Sequence, residues 1–213
     1  EDGIRDSSVT GVQTCALPIF PKIPLPQVPL DGAHVRLEPL EERHRELMRP
    51  AAQHPEIFTV TTSAYGKLFD PYIDAALKRS DGVHELAFAV FHKELGRHVG
   101  MTRYLNIEEA HRKLEIGSTW YEPAVWAGVV NPECKFLLMR HAFETLKFHR
   151  VEFKTDARNA RSRAAILKLG AREEGIFRKH MIMADGHVRD SVWFSVIDDE
   201  WPAVKAGLEK RIK

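Results

Sequence analysis

The chain has 213 residues, 44% of them hydrophobic, which is enough for one sizeable core and short for two. A net charge of +1, with Lys and Arg spread rather than clustered, excludes an electrostatic case for nucleic acid, and no run of about 18 apolar residues exists to span a membrane. Two cysteines, Cys15 and Cys134, cannot make a disulfide framework, which favours a reducing, cytoplasmic setting.

Residues 1–20 stand apart from the rest. Glu1–Asp6 and Val9–Ile19 look like the in-frame translation of a DNA sequencing-library adapter, with Ser7-Ser8 where the sample index falls. A secretory signal would need a basic start and a longer apolar stretch. These residues are therefore expected to form a foreign, disordered tail without function. Residues 21–29 hold four prolines in nine and read as an extended arm. A single domain is expected over 30–213.

Within it, Val35–Glu38 alternates as a first strand ended by Pro39. Leu40, His44, Leu47, Met48 and Ala51 recur at helical spacing, and a second short helix is expected around Pro71–Arg79. Three strands follow, Glu85–His92, Arg97–Ile107 and Lys113–Tyr121, with connections short enough for antiparallel hairpins. A helix is then expected from Asn131 as N-cap and Pro132 as first helical residue, with Cys134, Leu137, Leu138, Ala142 and Leu146 as its apolar stripe. Arg150–Thr155 alternates as a strand. The next helix has Asn159 as N-cap, Gly170 past its end, and Ser162, Ala165, Ile166 and Leu169 on one face. A hairpin over Ile176–Met183 and His187–Val196, turning at Asp185-Gly186, precedes a last helix from near Asp199. Antiparallel strands followed by a crossover helix predict an α/β (α+β) domain with a mixed sheet.

The chemistry concentrates in the strand–loop–helix unit Leu114–Leu146. A loop entering a helix N-terminus presents free backbone N–H groups and the positive end of a dipole, a natural seat for a diphosphate. Neither a GxxxxGK[ST] nor a GxGxxG pattern occurs. The first-turn Cys134 raises covalent catalysis as an option, although it also begins the apolar stripe and packing is the commoner fate. Eleven histidines invite a metal reading, but no HExxH or Cys-rich spacing supports one, and no metal is expected. His180 and His187 could face each other across the last hairpin, with packing the commoner use.

Glu115–Tyr121, the loop through Asn131, Glu133 and Lys135, His141–Glu144, His149–Glu152, Asn159–Ser162, Lys168–Gly170 and Arg172–Gly175 together resemble the GCN5-related N-acetyltransferases, GNAT for short. The resemblance covers essentially Leu30 to Trp201, and its nearest branch looks like the ribosomal-protein alanine acetyltransferases. It implies a mostly antiparallel sheet of six to seven strands flanked by helices, splayed between strands 4 and 5, with acetyl-CoA in the opening. It implies further that 30–213 is one N-acetyltransferase domain, moving an acetyl group by direct transfer in a ternary complex to a primary amine of a protein N-terminus or a small molecule. Trp120, Tyr121, Gly128, Val129, Val130, Asn131, Asn159 and Ser162 fall where the family contacts the cosubstrate. At the phosphate loop the pattern departs. Trp126, Val129 and Asn131 replace the family's usual Gln/Arg, Gly and Gly/Ala, and Val129 disfavours the φ > 0 a glycine would allow. Ile166 replaces the general-acid tyrosine of many members, while Ser162 matches the serine of the alanine-acetyltransferase group.

An amine acceptor must lose a proton before it attacks a thioester, and a carboxylate can take that proton directly or through a water. Glu115 is the candidate base, with Glu122 and Glu133 as weaker alternatives and an ion pair on a solvated face as the bland reading. Ser162 is the candidate for assisting the departing thiolate, against a plain helix-backbone hydrogen bond. A backbone N–H near Trp120–Tyr121 would serve the oxyanion. Acceptor pockets in this fold draw on Leu40–Ser80 and Ile176–Val196, which carry no motif that selects a substrate. The competing function is a CoA-binding or interaction module that kept the fold and lost turnover; an unrelated phosphate-binding α/β domain is a third. Monomer and homodimer are both open.

Overall fold

The computed structural model describes residues 24–58, 68–183 and 186–213. The adapter-like tail, the start of the arm and Asp185 of the expected turn lie outside the described residues. Eight strands make one sheet in the order β1-β2-β3-β4-β5-β6-β8-β7. They are β1 (Leu30–Asp31), β2 (Val35–Pro39), β3 (Leu86–His92), β4 (Arg97–Glu108), β5 (Lys113–Tyr121), β6 (Arg150–Asp156), β7 (Arg172–Ile182) and β8 (Val188–Ile197). All neighbours pair antiparallel except β5 and β6. The helices are α1 (His44–Met48), α2 (Phe69–Arg79), α3 (Val130–Arg140), α4 (Ala160–Lys168) and α5 (Trp201–Arg211). Among the described residues no helix is long and apolar enough to cross a membrane.

One strand exceeds the expected count. The two-residue β1 has no alternation to read, and it exists because Leu30 and Asp31 pair back on Leu37 and Arg36. The arm before it is without regular structure at 24–29 but not free: Leu25 is buried and its N–H donates to Gly82 O at 2.8 Å.

Two apolar clusters lie on opposite faces of the sheet. Leu37, Phe88, Leu114, Ile116, Val151, Phe153, Val192 and Phe194 pack against Leu137 and Leu138 of α3 and Trp201 and Leu208 of α5. On the other face Ala87, Ala89, Met101 and Trp120 pack against Met48 of α1 and Tyr72, Ile73 and Ala76 of α2. At roughly 25 cal/mol per Å² of apolar area removed from water, each of the larger side chains, Val, Leu, Ile, Phe or Met, stabilises the fold by about 1.5–3 kcal/mol.

The feature that places the site is the junction of β5 and β6. These strands pair in parallel only at Lys113–Arg150, Leu114–Val151 and Glu115–Glu152. Beyond Glu115 the ladder stops and the strands diverge, which is the splay expected between the fourth and fifth strands of the sequence reading. No hairpin can join parallel strands, so α3 makes the crossover and seats its N-terminus at the opening.

The candidate active site

Four elements border the opening. On one side β5 carries a bulge. Met101 pairs with Trp120 and Arg103 with Gly117, so Ser118 and Thr119 together stand opposite Thr102. Ser118 takes φ +45° to make this possible. A bulge leaves one residue outside the ladder, so the strand edge here presents backbone polar groups to the opening.

The head of α3 forms the second border. The helix starts at Val130 with Val129 as N-cap at φ −75°, ψ −19°, and no side chain caps it. The sequence reading placed the cap at Asn131, which instead sits inside the first turn. Its first intrahelical bond runs from Glu133 N to Val129 O at 3.0 Å, so the N–H groups of Val129, Val130 and Asn131 have no acceptor among the described residues. The expected conflict at Val129 does not arise. Its backbone is right-handed, and the left-handed turn falls on the exposed Ala127, at φ +59°. These unpaired donors, the dipole of an 11-residue helix and the exposed Gly128 suit a diphosphate.

The third border is α4. Asn159 is its N-cap as expected, with Oδ1 accepting Ser162 N at 3.0 Å. Ser162 is half-buried, and its hydroxyl makes no hydrogen bond among the described residues, so the plain backbone-bonded reading does not hold. Arg161 reaches from the same turn to lie over the Trp126 ring, 4.0 Å from its centroid. This stack joins α4 to the loop before α3 and brings a cation to that loop. Trp126 is anchored in turn by Nε1 donating to Tyr121 O at 2.8 Å.

The fourth border is β6 with Glu115 at the crotch of the splay. Glu115 is 2% exposed, and its Oε2 accepts from Asn106 Nδ2 at 2.8 Å and Lys154 Nζ at 3.0 Å. The solvated ion pair of the bland reading is therefore a buried one. Burial pushes the carboxyl above its usual pKa, opposed by Lys154 and Asn106. A β-carbon at Gly117 would lie 2.9 Å from Glu115 Oε1, so the absence of a side chain there leaves the carboxylate its place.

The other sequence candidates divide. Trp120 turns its indole to α2, donating to Tyr72 OH at 3.2 Å, and Tyr121 is buried beside Cys134 of α3, so only their backbones border the opening. Glu122 is paired with Arg97. Glu133 accepts three backbone N–H groups, from Ala33 at 2.6 Å and from His34 and Val35 at 2.8 Å, and so ties the β1–β2 turn to α3. Cys134 is buried, which pushes its thiol up to about 12 and removes the thiolate that covalent catalysis needs. His180 bonds Ser191 Oγ at 3.0 Å rather than facing His187.

Glu38, His44 and His98 place potential ligand atoms within 4.8 Å of one another under α1. Their bonds are those of a charge cluster. His44 Nδ1 accepts Glu41 N–H at 2.9 Å, which leaves a proton on Nε2 to donate to Glu38 at 2.9 Å, while Arg36 Nε donates to the other oxygen at 2.7 Å. Although burial acts to raise it, these partners hold Glu38 at about 2.

Lys135 escaped the sequence reading as a chemical group. It is buried on α3, and its Nζ donates to Thr119 Oγ1 at 2.6 Å and Thr102 Oγ1 at 3.3 Å, directly under the β5 bulge. Burial lowers its pKa to about 8. No sequence pattern marks this meeting, because Thr102, Thr119 and Lys135 come from three separate elements.

Comparison with known proteins agrees with this geometry. The family model described as an acetyltransferase (GNAT) domain matches residues 34–172. A GCN5-related N-acetyltransferase from Brucella melitensis superposes with a TM-score of 0.81 at 34% identity, covering 91% of this chain and 88% of that one. The Bacillus subtilis protein named "Putative ribosomal N-acetyltransferase YdaF" is 31% identical over 106 residues, 50% of this chain; the match spans only 57% of that relative's own length. Mycobacterium smegmatis RimJ in complex with CoA-disulfide shares the fold at 21% identity, with a TM-score of 0.67 over 83% of this chain and 88% of that one. A sheet parted beside an uncapped helix N-terminus, matched over most of the chain by a family model, makes this chain a member of the GNAT acetyltransferase family.

Proposed function

We propose that residues 30–213 are a single domain that transfers an acetyl group from acetyl-CoA to a primary amine, on a protein N-terminus or a small molecule, by direct transfer in a ternary complex. The observation that carries this reading is the β5–β6 opening, with the unpaired N–H groups of Val129–Asn131 at one end and Glu115 at the other. The diphosphate would lie against those N–H groups and the Arg161–Trp126 stack. That RimJ was solved with CoA-disulfide on the same fold supports the choice of ligand.

Glu115 acts as the base, taking the proton of the incoming amine. Burial has already raised its affinity for a proton, which Oε1 can take while Lys154 and Asn106 go on donating to Oε2. The strand edge at the Ser118–Thr119 bulge offers backbone donors to the developing oxyanion, and Lys135 beneath it holds the bulge through Thr119. Ser162, with its hydroxyl uncommitted, assists departure of the thiolate.

Thermal unfolding of a chain starting at Pro21, with and without acetyl-CoA, tests the first half of the reading. Ligand at about 100 times its dissociation constant should add about 2.7 kcal/mol, a shift of several degrees. Glu115→Gln should keep that shift and lose about 10²–10⁴-fold in kcat on any accepted amine. No shift at millimolar acetyl-CoA would end the acetyltransferase reading. An intact shift with no turnover of an amine panel would favour the CoA-binding module, for which the Glu115–Lys154 pair is the supporting observation.

A further inference from the structure

Two hydrogen-bond donors on β8 are buried without an acceptor: Nε of Arg189 and Nε1 of Trp193. Alternation along the strand sends Val192, Phe194 and Val196 into the core beneath α3 and α5, and Arg189, Ser191 and Trp193 to the opposite face. This is the face on which Lys154 lies over the Trp193 ring, 5.2 Å from its centroid, while bonding Glu115. α1 and α2 pack on that same side of the sheet, chiefly over β4 and β3, toward its other end.

Arg189 is 5% exposed, and none of its N–H groups makes a hydrogen bond with a described residue. The carboxylates near it are committed elsewhere. Asp156 accepts from Arg158 Nε at 3.1 Å and Nη2 at 2.9 Å, and Glu115 from Lys154 and Asn106. They act on Arg189 through space only, against a burial penalty that is the larger influence. A guanidinium cannot shed its proton to relieve that penalty, so an anion is the remaining way to offset it. Four residues further along the same strand face, Trp193 is walled by Phe177, with ring centroids 5.2 Å apart, and by His180 at 6.0 Å. Phe177, Arg178, Lys179 and His180 line an open groove of about 600 Å³ on the same hairpin. The unmet groups are all donors, and one is cationic. Their complement is a carboxylate.

We propose that Arg189, with Trp193 on the same strand face, anchors a carboxylate carried by the acceptor, so that the acceptor class is a primary amine bearing a carboxylate. This deepens the acetyl-transfer reading and rests on it. The amine lies toward Glu115 and the acid toward Arg189. Two sources share this chemistry, a free amino acid and a peptide whose N-terminal amine is followed by an acidic residue.

The test compares each acidic acceptor with a neutral isostere of similar amine basicity. The small pair is 4-aminobutyrate and 4-aminobutanamide; the peptide pair is Ala-Asp and Ala-Asn, both C-terminally amidated. In at least one pair the acidic member should have the higher kcat/KM by about tenfold to a hundredfold, the range a charge-assisted hydrogen bond supplies, and the pair that shows it identifies the source. Arg189→Met should bring that ratio to about one by raising KM for the acidic member. Equal kcat/KM within both pairs, or a ratio that survives in Arg189→Met, overturns the proposal. The wild-type comparison stands even if the variant fails to fold. A second measurement needs no turnover: the Arg189 Nε–H resonance, assigned by its loss in Arg189→Lys, should shift when succinate is titrated into the wild-type protein. If acetyl-CoA binds and no amine reacts, a succinate shift keeps the anion site and condemns only the activity; an unmoved resonance at about 50 mM succinate condemns the site itself.

Discussion

Lys135 shows what a single residue can reveal about a site it does not enter. It is a cation buried with two threonine hydroxyls for company, and those hydroxyls also bond each other at 2.8 Å. With its pKa at about 8 in the folded state against 10.5 as the ordinary value, the unfolded chain binds the proton more tightly. Between those two pH values the unfolded state therefore carries more protons, and stability gains from Lys135 as pH rises through that window. Lys135→Met should remove this gain, so the difference in unfolding free energy between wild type and variant should change by up to about 3 kcal/mol between pH 7.5 and 10 in urea titrations. A difference that is flat with pH would mean the lysine is solvated. Legibility is poorest at this scale. Glu115, Asn159 and Ser162 could be named because each sits in a recognisable local pattern. Lys135, Arg161 and Arg189 could not, because their meaning comes from partners, or the lack of them, on distant elements.

Helices and strands were far more readable. β5 was expected over Lys113–Tyr121 and found there, because nine residues between a hairpin and a proline leave little freedom. α3 was misplaced at its start, since Asn131-Pro132 imitates a cap and first turn while the chain already turns right-handed at Val129. Its end also departs, in a π turn over His141–Thr145 that no side-chain pattern announces. Two expectations belong to α3. Ala127→Gly, at the left-handed position, should stabilise the protein by about 0.5–1 kcal/mol in a denaturant titration without weakening acetyl-CoA binding. Glu133→Ala should take the acceptor from three backbone N–H groups, that of Val35 buried, and cost about 2–3 kcal/mol, with amide exchange at Ala33–Val35 accelerating before that of the strands around them.

For the whole molecule, the order of strands and helices sufficed to anticipate a mixed sheet, whereas the place of the opening came from family resemblance. Pairing partners cannot be read from alternation alone, and a ladder that stops after three pairs leaves no mark in composition. The architecture makes a definite statement about where ligand protects the backbone. Acetyl-CoA should slow amide exchange at 127–131 and 117–121 and leave β2 and β3 unchanged, because β3 is covered by the second apolar cluster under α1–α2 and β2 lies beyond it, away from the opening. Protection centred on β2–β3 would move the cosubstrate to the wrong face.

The brevity of the β5–β6 seam also bears on how such a chain can change over generations. Strands β2–β5 and strands β6–β8 each carry long ladders of their own, joined laterally by three residue pairs. The layer that α1 and α2 form over β3, β4 and β5 draws none of its buried members from β6, β7 or β8. Substitutions in the last hairpin can thus accumulate without repacking that layer, and the reverse holds as well. On the acetyl-transfer reading, a lineage can vary the hairpin face that carries Arg189 and Trp193 as long as Val192, Phe194 and Val196 keep their packing beneath α3.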